Sequence, residues 1–326
     1  MRAMVLEEQG SIEEEPLKLR DIERPEPHGK QVRLLVSSCG VCRTDLHIAE
    51  GDMHARKMPV VLGHQPVGYI DAVGDRAERF SLGDRVGAFW LASACGECRF
   101  CSAGLENLCD KAEFTGYTVD GGYEEYMLAD EDFLLPIPQS FSDEHAAPLL
   151  CAGIIGYRSL KLSGAKRRLG IFGFGSSAHI VMQLARDMEV FVFTRNEEHR
   201  KLAKKLGATW VGGTDEDVKE RMDGAIVFAP SGAVVKDALR FLDKGATLAI
   251  NAVHMSPIPS MEYDLLYDER KMTSVANVTR EDAKEFFSLA EGIRTEVELF
   301  SLEDLNRALK LLKDSRMNGS AVVRVR

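Results

Sequence analysis

The 326-residue sequence predicts an α/β protein of two domains, in which a β-rich domain is combined with a doubly wound parallel sheet. The early part of the chain contains short β-like runs, of which two lie beside Gly-Asp turns: QVRLLV at 31–36, YIDAVG at 69–74 and DRVGAF at 84–89. From Leu169 onward, strand-like and helix-like segments alternate, which is typical of parallel βαβ units. Since single cores rarely exceed ~250–300 residues, a chain of this length is expected to form two domains.

The remaining segments follow in chain order. The run at 140–162 is predicted to be one helix, with Ser142 as its N-cap and Gly164 as its stop. The alternation after Leu169 predicts further strands and helices: strands in LGIF, EVFVFT (189–194), GAIVFAP (224–230) and ATLAINAV (246–253), and helices after GFGSSA, in EEHRKLAKKLG and near 233–242. The tail beyond Arg280 predicts two helical stretches and a final strand, SAVVRVR.

Composition and charge exclude several classes of protein. With 45% hydrophobic and 28% charged residues, the chain is expected to fold. A net charge of −10 and the lack of a long basic stripe argue against nucleic acid as a partner. The N-terminal segment has no apolar core of a secretory signal, and no run of ~18 apolar residues predicts a membrane span. We therefore expect a cytoplasmic protein, in which seven cysteines indicate metal binding or catalysis rather than disulfides.

Four cysteines lie close together in the run CGECRFCSAGLENLC at 95–109, and they are Cys95, Cys98, Cys101 and Cys109. Four thiolates at this spacing can close a tetrahedral zinc site, and packing does not explain such a density of free cysteines. An iron–sulfur cluster is disfavoured because its bacterial run ends in C-x3-C-P, whereas here the last gap is seven and Asp110 follows. The run predicts a structural zinc with no open position for a substrate.

The sequence GFGSSA at 173–178 has the G-x-G-x-x-A pattern of dinucleotide-binding turns. It follows an apolar strand and opens a helix, which is the context that this pattern requires. Gly173 allows the tight turn, Gly175 lets the backbone approach a pyrophosphate, and Ala178 allows close helix–strand packing. The alternative is a strand–helix turn built of small residues without a nucleotide.

The end of the second strand of this region bears on the choice of cofactor. NAD sites usually place an acidic residue about 20 residues after the glycines, against the ribose 2′-hydroxyl. Here Thr194 and Arg195 occupy that point, so no carboxylate repels a 2′-phosphate and Arg195 can pair with it. We therefore predict that NADP(H) is favoured over NAD(H). In the alternative, Arg195 faces solvent and NAD binds through Asn196 or Glu197.

The stretch CGVCRTDLH at 39–47 contains a C-x-x-C pair of open meaning. Such a pair can be a redox centre, half of a structural zinc site, or the beginning of a catalytic one. GHQPVG at 63–68 and the lone Cys151 are further candidate ligands. A catalytic zinc keeps three protein ligands and one open position, and two cysteines with one histidine form a known set. Spacing alone does not assemble these scattered residues.

Together, the motifs resemble those of the zinc-dependent medium-chain alcohol dehydrogenases. The resemblance covers essentially the whole chain, and its motifs occur in order: CRTDLH, GHxxxG, GDRVG, CGxCxxCxxGxxxxC, a cysteine in the interdomain helix, and GxGxxA. It implies a GroES-like catalytic domain over 1–152 and 279–326, and a Rossmann domain over 153–278. It also implies two Zn²⁺ ions per chain.

The resemblance assigns the catalytic zinc to Cys42, His64 and Cys151, and it leaves Cys39 as a small residue packed beside the site. The structural zinc then uses the four cysteines of the run at 95–109. Six of the seven cysteines would therefore be metal ligands.

Residues that neighbour Cys42 receive roles from the same resemblance. Thr44 would accept a proton from the substrate alcohol, His47 would relay it to solvent, and Asp45 would orient His64. Arg43 would lie near the cofactor pyrophosphate. Without the family, Thr44 or Asp45 can equally be a helix cap, and His47 a surface histidine.

Two further positions concern the substrate pocket and the zinc. The resemblance implies that Trp90 lines the pocket, which would favour flat or apolar substrates; ordinary core packing is the alternative. Gln65 stands where the family usually has Glu, which removes a negative charge from behind the zinc. Two thiolates still neutralise Zn²⁺, so we expect zinc to bind.

The expected function is reversible hydride transfer between an alcohol or aldehyde and NADP(H), in a homodimer or homotetramer without nucleic-acid or membrane partners. One rival is a zinc-free quinone or enoyl reductase, against which the three candidate catalytic ligands argue. A second is a zinc-clip binding module for nucleic acid or a partner protein, which the acidic charge disfavours. A third is a cofactor-binding structural or sensory protein in which Gln65 marks lost activity.

Overall fold

The computed structural model describes residues 1–317 and 319–326. They form two compact units: Met1–Cys151 together with Asn277–Arg326, and Ala152–Ala276. Among these residues, no helix has the length and apolar character needed to cross a bilayer.

The described residues form eighteen β-strands: β1 (Arg2–Leu6), β2 (Leu17–Asp21), β3 (Gln31–Gly40), β4 (Val60–Val61), β5 (Pro66–Val73), β6 (Arg85–Ala88), β7 (Leu91–Ser93), β8 (Glu113–Phe114), β9 (Tyr126–Asp130), β10 (Leu134–Pro136), β11 (Arg168–Phe172), β12 (Glu189–Phe193), β13 (Trp210–Gly212), β14 (Met222–Val227), β15 (Leu242–Ile250), β16 (Lys271–Ser274), β17 (Val297–Ser301) and β18 (Ser320–Arg324).

They also form nine α-helices: α1 (Arg43–Glu50), α2 (Arg99–Ser102), α3 (Asp143–Ala146), α4 (Ala152–Ser163), α5 (Ser176–Leu184), α6 (Glu197–Lys205), α7 (Gly232–Leu239), α8 (Arg280–Leu289) and α9 (Leu305–Lys313). Short 3-10 helices occur at Ile12–Glu14, Glu106–Leu108, Glu131–Phe133, Ala147–Leu150, Tyr263–Leu265 and Leu302–Asp304.

The first unit is built on a mixed seven-stranded sheet with the order β10-β6-β5-β3-β18-β17, in which β9 also pairs with β3. The long strand β3 is central because β5, β9 and β18 all pair with it in antiparallel register. The C-terminal strand β18 thereby joins the tail to this unit. A three-stranded sheet (β2-β1-β4) and the pair β7-β8 complete the unit. The last residue of β3 leads within two residues into α1, where the first candidate site begins.

The second unit is a six-stranded parallel sheet with the order β13-β12-β11-β14-β15-β16. Numbered within the unit, this is the order 3-2-1-4-5-6 of doubly wound dinucleotide-binding sheets. The order reverses between β11 and β14, which is where such sheets bind ligands. The structure therefore confirms the predicted fold class, a β-rich domain with a doubly wound parallel sheet.

The prediction of one helix over 140–162 was wrong. The segment forms α3, a 3-10 helix and α4, with an interruption at Cys151. Pro148 lies in the 3-10 segment and has no N–H for a helical hydrogen bond, and the backbone of Cys151 leaves helical geometry at φ −124°, ψ −71°. The predicted ends were correct: Ser142 Oγ accepts from the His145 N–H at 3.4 Å, and Gly164 ends α4 at φ +65°.

Candidate catalytic and cofactor sites

Three separate segments of the first unit bring Cys42, His64 and Cys151 together. Cys42 is the N-cap of α1, His64 lies between β4 and β5, and Cys151 follows the 3-10 helix at Ala147–Leu150. Their candidate ligand atoms all lie within 4.8 Å of one another. The three residues predicted from the resemblance therefore form one cluster, which contains two sulfurs and one ring nitrogen.

The geometry of this cluster fits a zinc ion. The Sγ atoms of Cys42 and Cys151 are 3.9 Å apart and are not bonded to each other. A tetrahedral site with Zn–S bonds of about 2.3 Å has S–S edges of about 3.8 Å. Two cysteines and a histidine are also a donor set used by catalytic zinc, which keeps a fourth position for a substrate.

The Asp45 carboxylate organises the cluster from behind and is fully buried. Its Oδ1 lies 3.1 Å from His64 Nδ1, and its Oδ2 accepts from the Cys42 N–H and the Tyr123 hydroxyl, each at 2.9 Å. The Gly63 N–H donates to Oδ1 at 3.3 Å. Asp45 therefore caps α1 and fixes the His64 ring at the same time, and the bond at Nδ1 leaves Nε2 available for a metal.

The protonation of the cluster follows from burial and from these contacts. Burial opposes a charge on His64, but the Asp45 carboxylate and the Cys42 sulfur outweigh it and raise the pKa of His64 to about 10. The hydrogen bond from Cys151, followed by those from His64, lowers the pKa of Cys42. A metal at this site would therefore displace protons from His64 and a thiol.

Helix α1 carries three of the predicted site residues close to Cys42 in the chain: Arg43, Thr44 and His47. The Oγ1 of Thr44, a buried residue, is 3.6 Å from Cys42 Sγ. His47 has a side chain that is 16% exposed, and its Nδ1 pairs with Asp52 Oδ2 at 2.8 Å. Arg43 is exposed and donates to the Leu312 carbonyl at 3.0 Å. The His47 ring is therefore mostly covered by protein but still reaches solvent.

An aromatic group covers one side of His64. The Trp90 ring meets His64 edge-on with a centroid distance of 5.0 Å. It also stacks on Phe114 at 5.3 Å and on Tyr117 at 5.8 Å. The buried Trp90 Nε1 has no hydrogen-bond partner among the described residues. Trp90 is therefore part of an aromatic stack beside the cluster.

Gln65 and Cys39 are buried next to the cluster without being part of it. Gln65 is 3% exposed and packs so closely on Gly40 that an added Cβ there would lie 2.8 Å from its Oε1. Cys39 is fully buried, its Sγ lies 3.6 Å from the Gly40 carbonyl, and burial raises its pKa. Such a thiol is packed and unreactive.

The four cysteines at 95–109 form a second cluster, with all ligand atoms within 4.8 Å of one another. Their Sγ atoms are 3.5 Å apart for Cys95–Cys109, 3.6 Å for Cys98–Cys101 and 3.9 Å for Cys95–Cys101. These distances are close to the edges of a zinc–thiolate tetrahedron and far longer than a disulfide bond. The backbone N–H groups of Glu97 and Cys98 lower the pKa of Cys95 to about 6, which favours the thiolate that a metal requires.

In the second unit, the GFGSSA turn lies where β11 ends and α5 begins. Gly173 has φ +90°, and an added Cβ would approach the Ala229 N atom to 2.8 Å, so this position requires glycine. An added Cβ at Gly175 meets open space, in a position where a phosphate can approach the backbone. Ala178 is fully buried in the helix–sheet interface. These residues fit a dinucleotide pyrophosphate.

Thr194 and Arg195 follow β12 directly. Thr194 is buried, and its N–H donates to the Gly212 carbonyl at 2.8 Å. Arg195 is exposed. Arg200, on α6, donates from Nε to the Thr194 carbonyl at 2.8 Å and holds this corner in place. The guanidinium of Arg200 therefore lies at the end of the second strand, and the exposed Arg195 follows that strand in the chain.

Sequence reasoning missed several residues that contact these sites. Tyr123, Phe114 and Tyr117 are remote in sequence from Asp45 and from Trp90, so no local pattern indicates their contacts. Asp52 lies only five residues from His47 in a Gly-Asp turn, and that proximity is the one signal that could have identified it.

Comparison with known proteins supports these assignments at the family level. The model of the alcohol dehydrogenase GroES-like domain matches residues 28–139, and the model of the zinc-binding dehydrogenase family matches residues 177–292. The chain is 41% identical to the probable alcohol dehydrogenase AdhA of Mycobacterium tuberculosis, over 99% of this chain and 97% of that protein.

Solved structures agree with this result. The alcohol dehydrogenase of the archaeon Aeropyrum pernix is 28% identical, with a TM-score of 0.87 over the whole of both chains. The CAD of Helicobacter pylori in complex with NADP(H) is 25% identical, with a TM-score of 0.86 over 99% of each chain. This chain belongs to the zinc-dependent medium-chain alcohol dehydrogenase family, and it is an NAD(P)-dependent oxidoreductase that acts on alcohols.

Proposed function

We propose that the chain is an NADP(H)-preferring alcohol dehydrogenase and aldehyde reductase with two zinc ions, one catalytic and one structural. The observation that carries the proposal is the convergence of Cys42, His64 and Cys151, from three segments, within 4.8 Å. We assign the GroES-like catalytic domain to 1–152 and 279–326 and the Rossmann domain to 153–278. The two compact units of the fold support this division.

Catalytic zinc bound by Cys42, His64 and Cys151 would act as a Lewis acid toward the oxygen of an alcohol or aldehyde. The protein prepares this site through Asp45, which holds the His64 ring through Nδ1 and directs Nε2 to the metal position. The negative charge of this fully buried carboxylate would also compensate part of the positive charge of a bound zinc ion.

The Thr44 hydroxyl accepts the proton that the alcohol loses, since its oxygen lies 3.6 Å from the Cys42 sulfur. His47 is the outer relay group, because its partly exposed ring can exchange a proton with water. Asp52, 2.8 Å from Nδ1, orients the His47 ring and favours one tautomer. The relay therefore consists of a hydroxyl, an imidazole and a carboxylate.

The four-cysteine cluster holds the second zinc. A site closed by four thiolates has no position for a substrate, so its role is structural. It fixes the segment 95–109, whose own secondary structure is only a four-residue helix and a short 3-10 helix. Loss of this metal should affect stability rather than the chemistry.

NADP(H) provides the hydride acceptor or donor. Gly173, Gly175 and Ala178 receive its pyrophosphate at the start of α5, and Arg43 supplies a further positive charge for it. Thr194 and Arg195 receive the 2′-phosphate, because the residues directly after β12 offer a hydroxyl and an exposed guanidinium. The NADP(H) complex of the Helicobacter pylori relative is consistent with this preference.

The aromatic stack of Trp90, Phe114 and Tyr117 lines the substrate pocket. Its rings lie beside His64 and offer a flat apolar surface rather than a charged one. This surface favours alcohols and aldehydes with apolar or planar substituents.

The active species is a homodimer or homotetramer. Strand β16 forms an edge of the parallel sheet, and Tyr263 and Tyr267, which are 71% and 62% exposed, precede it. Edge strands and exposed aromatic side chains are features that a second copy of the chain can cover. Light scattering of the purified protein measures the number of chains directly.

The decisive experiment follows the loss of reduced nicotinamide absorbance in zinc-loaded protein, with a panel of aldehydes and with NADPH and NADH in parallel. Turnover that favours NADPH supports the whole proposal. Turnover that favours NADH retains the enzyme but refutes the assignment of Thr194 and Arg195. A single zinc per chain, measured by mass spectrometry of the metal, refutes the two-site proposal.

A further inference from the structure

A separate cavity of about 480 Å³ lies in the first unit. Its walls come mainly from β7, β9 and the segments 22–25 and 113–124, and no cysteine is among the lining residues. Cys42, His64 and Cys151 do not line it. The volume falls within the range of small-molecule sites, which span roughly 300–1,000 Å³.

Glu124 lines this cavity, and the burial of its carboxyl group requires an explanation. The residue is 3% exposed, and no described residue makes a hydrogen bond to its carboxylate. The nearest cation, Lys57, is paired with Asp120, whose other oxygen accepts from the Val61 N–H at 2.9 Å. Burial outweighs the charge of Lys57 and raises the pKa of Glu124, so the free protein holds this carboxyl protonated. A bound cation would offset the cost of burying its ionised form.

Most of the charged groups that line the cavity have the same sign as Glu124. Its lining includes five carboxylates but, besides the chain's amino group, only one cationic side chain: Glu23, Glu113, Asp120, Glu124 and Asp130 against Lys57. The amino group of Met1, which also lines the cavity, donates to the Ile22 carbonyl at 2.8 Å. The electrostatic field of the cavity therefore favours a cation.

The chemistry of the walls distinguishes an organic cation from a metal ion. Among the described residues, the only groups of three or more potential ligand atoms within 4.8 Å are the two cysteine-containing clusters, so the carboxylates of the cavity do not form a chelate. Met127 and Phe133 are buried apolar residues of the lining, and Leu128 and Ala129 extend the same surface. A ligand with one positive group and a short hydrocarbon chain can contact both the carboxylates and the apolar side chains of this lining.

We propose that this cavity binds a primary alkylammonium ion, with its ammonium group on the Glu124 carboxylate and its hydrocarbon chain along Met127 and Phe133. The three N–H donors of an ammonium group match a carboxylate that accepts no hydrogen bond from the protein. Binding also releases a proton, since burial and then the nearby Asp120 raise the pKa of Glu124 in the free protein.

Glu124 is adjacent in the chain to a residue that contacts the surroundings of the catalytic cluster. Tyr123, which precedes Glu124, donates its hydroxyl to Asp45 at 2.9 Å, and its N–H donates to the Leu62 carbonyl at 3.1 Å. An amine at Glu124 is therefore held next to the segment that supports His64.

The test is titration calorimetry of the zinc-loaded full-length chain with n-pentylammonium chloride at pH 8. We expect saturable 1:1 binding with a Kd of about 1 mM or tighter. Repeating the titration in two buffers of different ionisation enthalpy should reveal proton release on binding. Hexanoate, which has the same length and the opposite charge, should not bind.

Two variants locate the site, and one controls for binding at the catalytic metal. Glu124→Gln should weaken binding at least 10-fold. Ala92→Leu, which fills the cavity and leaves Glu124 in place, should do the same, so the test does not depend on the folding of one variant. Cys42→Ser should leave the affinity unchanged. Unchanged binding in both cavity variants, loss of binding in Cys42→Ser, no binding to the wild type, or Glu124-dependent binding of Mg²⁺ instead of the amine would each overturn the proposal.

Discussion

The Tyr123 hydroxyl donates a hydrogen bond of 2.9 Å to Asp45, and the other oxygen of the same buried carboxylate lies 3.1 Å from His64 Nδ1. A residue 78 positions away in sequence therefore sets the position of the carboxylate that orients His64. Burial, followed by the charge of Asp45, raises the pKa of Tyr123, which keeps the hydroxyl protonated as a donor. The consequences of this contact can be measured.

Tyr123→Phe should lower the affinity for the catalytic zinc by about 10-fold, since it removes one hydrogen bond to a charged group that supports a ligand. Asp45→Asn should have a larger effect, of about 100-fold. Competition with a chromophoric chelator measures both affinities. Tyr117→Phe is the matched control, because the Tyr117 hydroxyl donates to the His54 carbonyl and not to Asp45. Equal affinities in Tyr123→Phe and Tyr117→Phe would show that the contact has no role in metal binding.

The metal content should separate the two clusters. We expect two zinc ions per wild-type chain, and one in both Cys98→Ser and Cys42→Ser. Cys42→Ser should retain thermal stability and lose activity, whereas Cys98→Ser should lower the Tm by several degrees and keep measurable turnover at low temperature. Cys39→Ala should keep both metals, since Cys39 lies outside both clusters. A loss of one zinc in Cys39→Ala would contradict the ligand assignment.

Gln65→Glu should alter the pH dependence of alcohol oxidation. The residue is 3% exposed, so a carboxylate there adds a buried negative charge beside His64. That charge should strengthen zinc binding and shift the rise of kcat/KM upward by about one pH unit, because an added negative charge disfavours loss of the substrate proton. Gln65→Met, neutral and of similar length, should not shift the profile. An unchanged profile in Gln65→Glu would mean that the missing charge does not affect the rate.

Arg195→Ala should reduce kcat/KM for NADPH by about 10- to 100-fold, the size of one or two charge-assisted hydrogen bonds. The value for NADH should change by less than about twofold, because NADH has no 2′-phosphate to lose. Arg240→Ala is the control, since Arg240 lies in the same unit and donates to the Thr214 carbonyl at 2.8 Å. Parallel losses with both cofactors would indicate that Arg195 does not read the 2′-phosphate.

Glu124 should make stability depend on pH in a definite direction. Burial raises its pKa, so the folded protein keeps a proton that the unfolded chain has released. The stabilisation is complete below the unfolded pKa of about 4.3 and is lost as the pH rises through the folded pKa. Glu124→Gln should therefore increase the Tm relative to wild type at pH 8 but have little effect at pH 4.5, as measured by calorimetry without amine. An identical difference at both pH values would be inconsistent with a buried, protonated Glu124.

Short-range patterns were sufficient for much of the architecture. The alternation after Leu169 predicted the parallel sheet, because period-2 and period-3.6 patterns are properties of neighbouring residues. The four cysteines of 95–109 predicted their own cluster for the same reason, since all four ligands lie in one short segment. The helix over 140–162 was the exception, because the apolar pattern continues through Pro148 and Cys151 while the backbone does not.

The sequence by itself therefore determined the fold class, the tetracysteine cluster and the glycine-rich turn between β11 and α5, which all depend on contacts between residues close in the chain. The resemblance to a family was needed to select Cys42, His64 and Cys151, because their spacing carries no periodic signal. Only the tertiary structure decided the long-range contacts: Tyr123 on Asp45, and Phe114 and Tyr117 on Trp90. It also decided that Glu124 lines a separate cavity. These contacts join segments that are far apart in sequence, and their geometry exists only once the sheet of the first unit has placed those segments side by side.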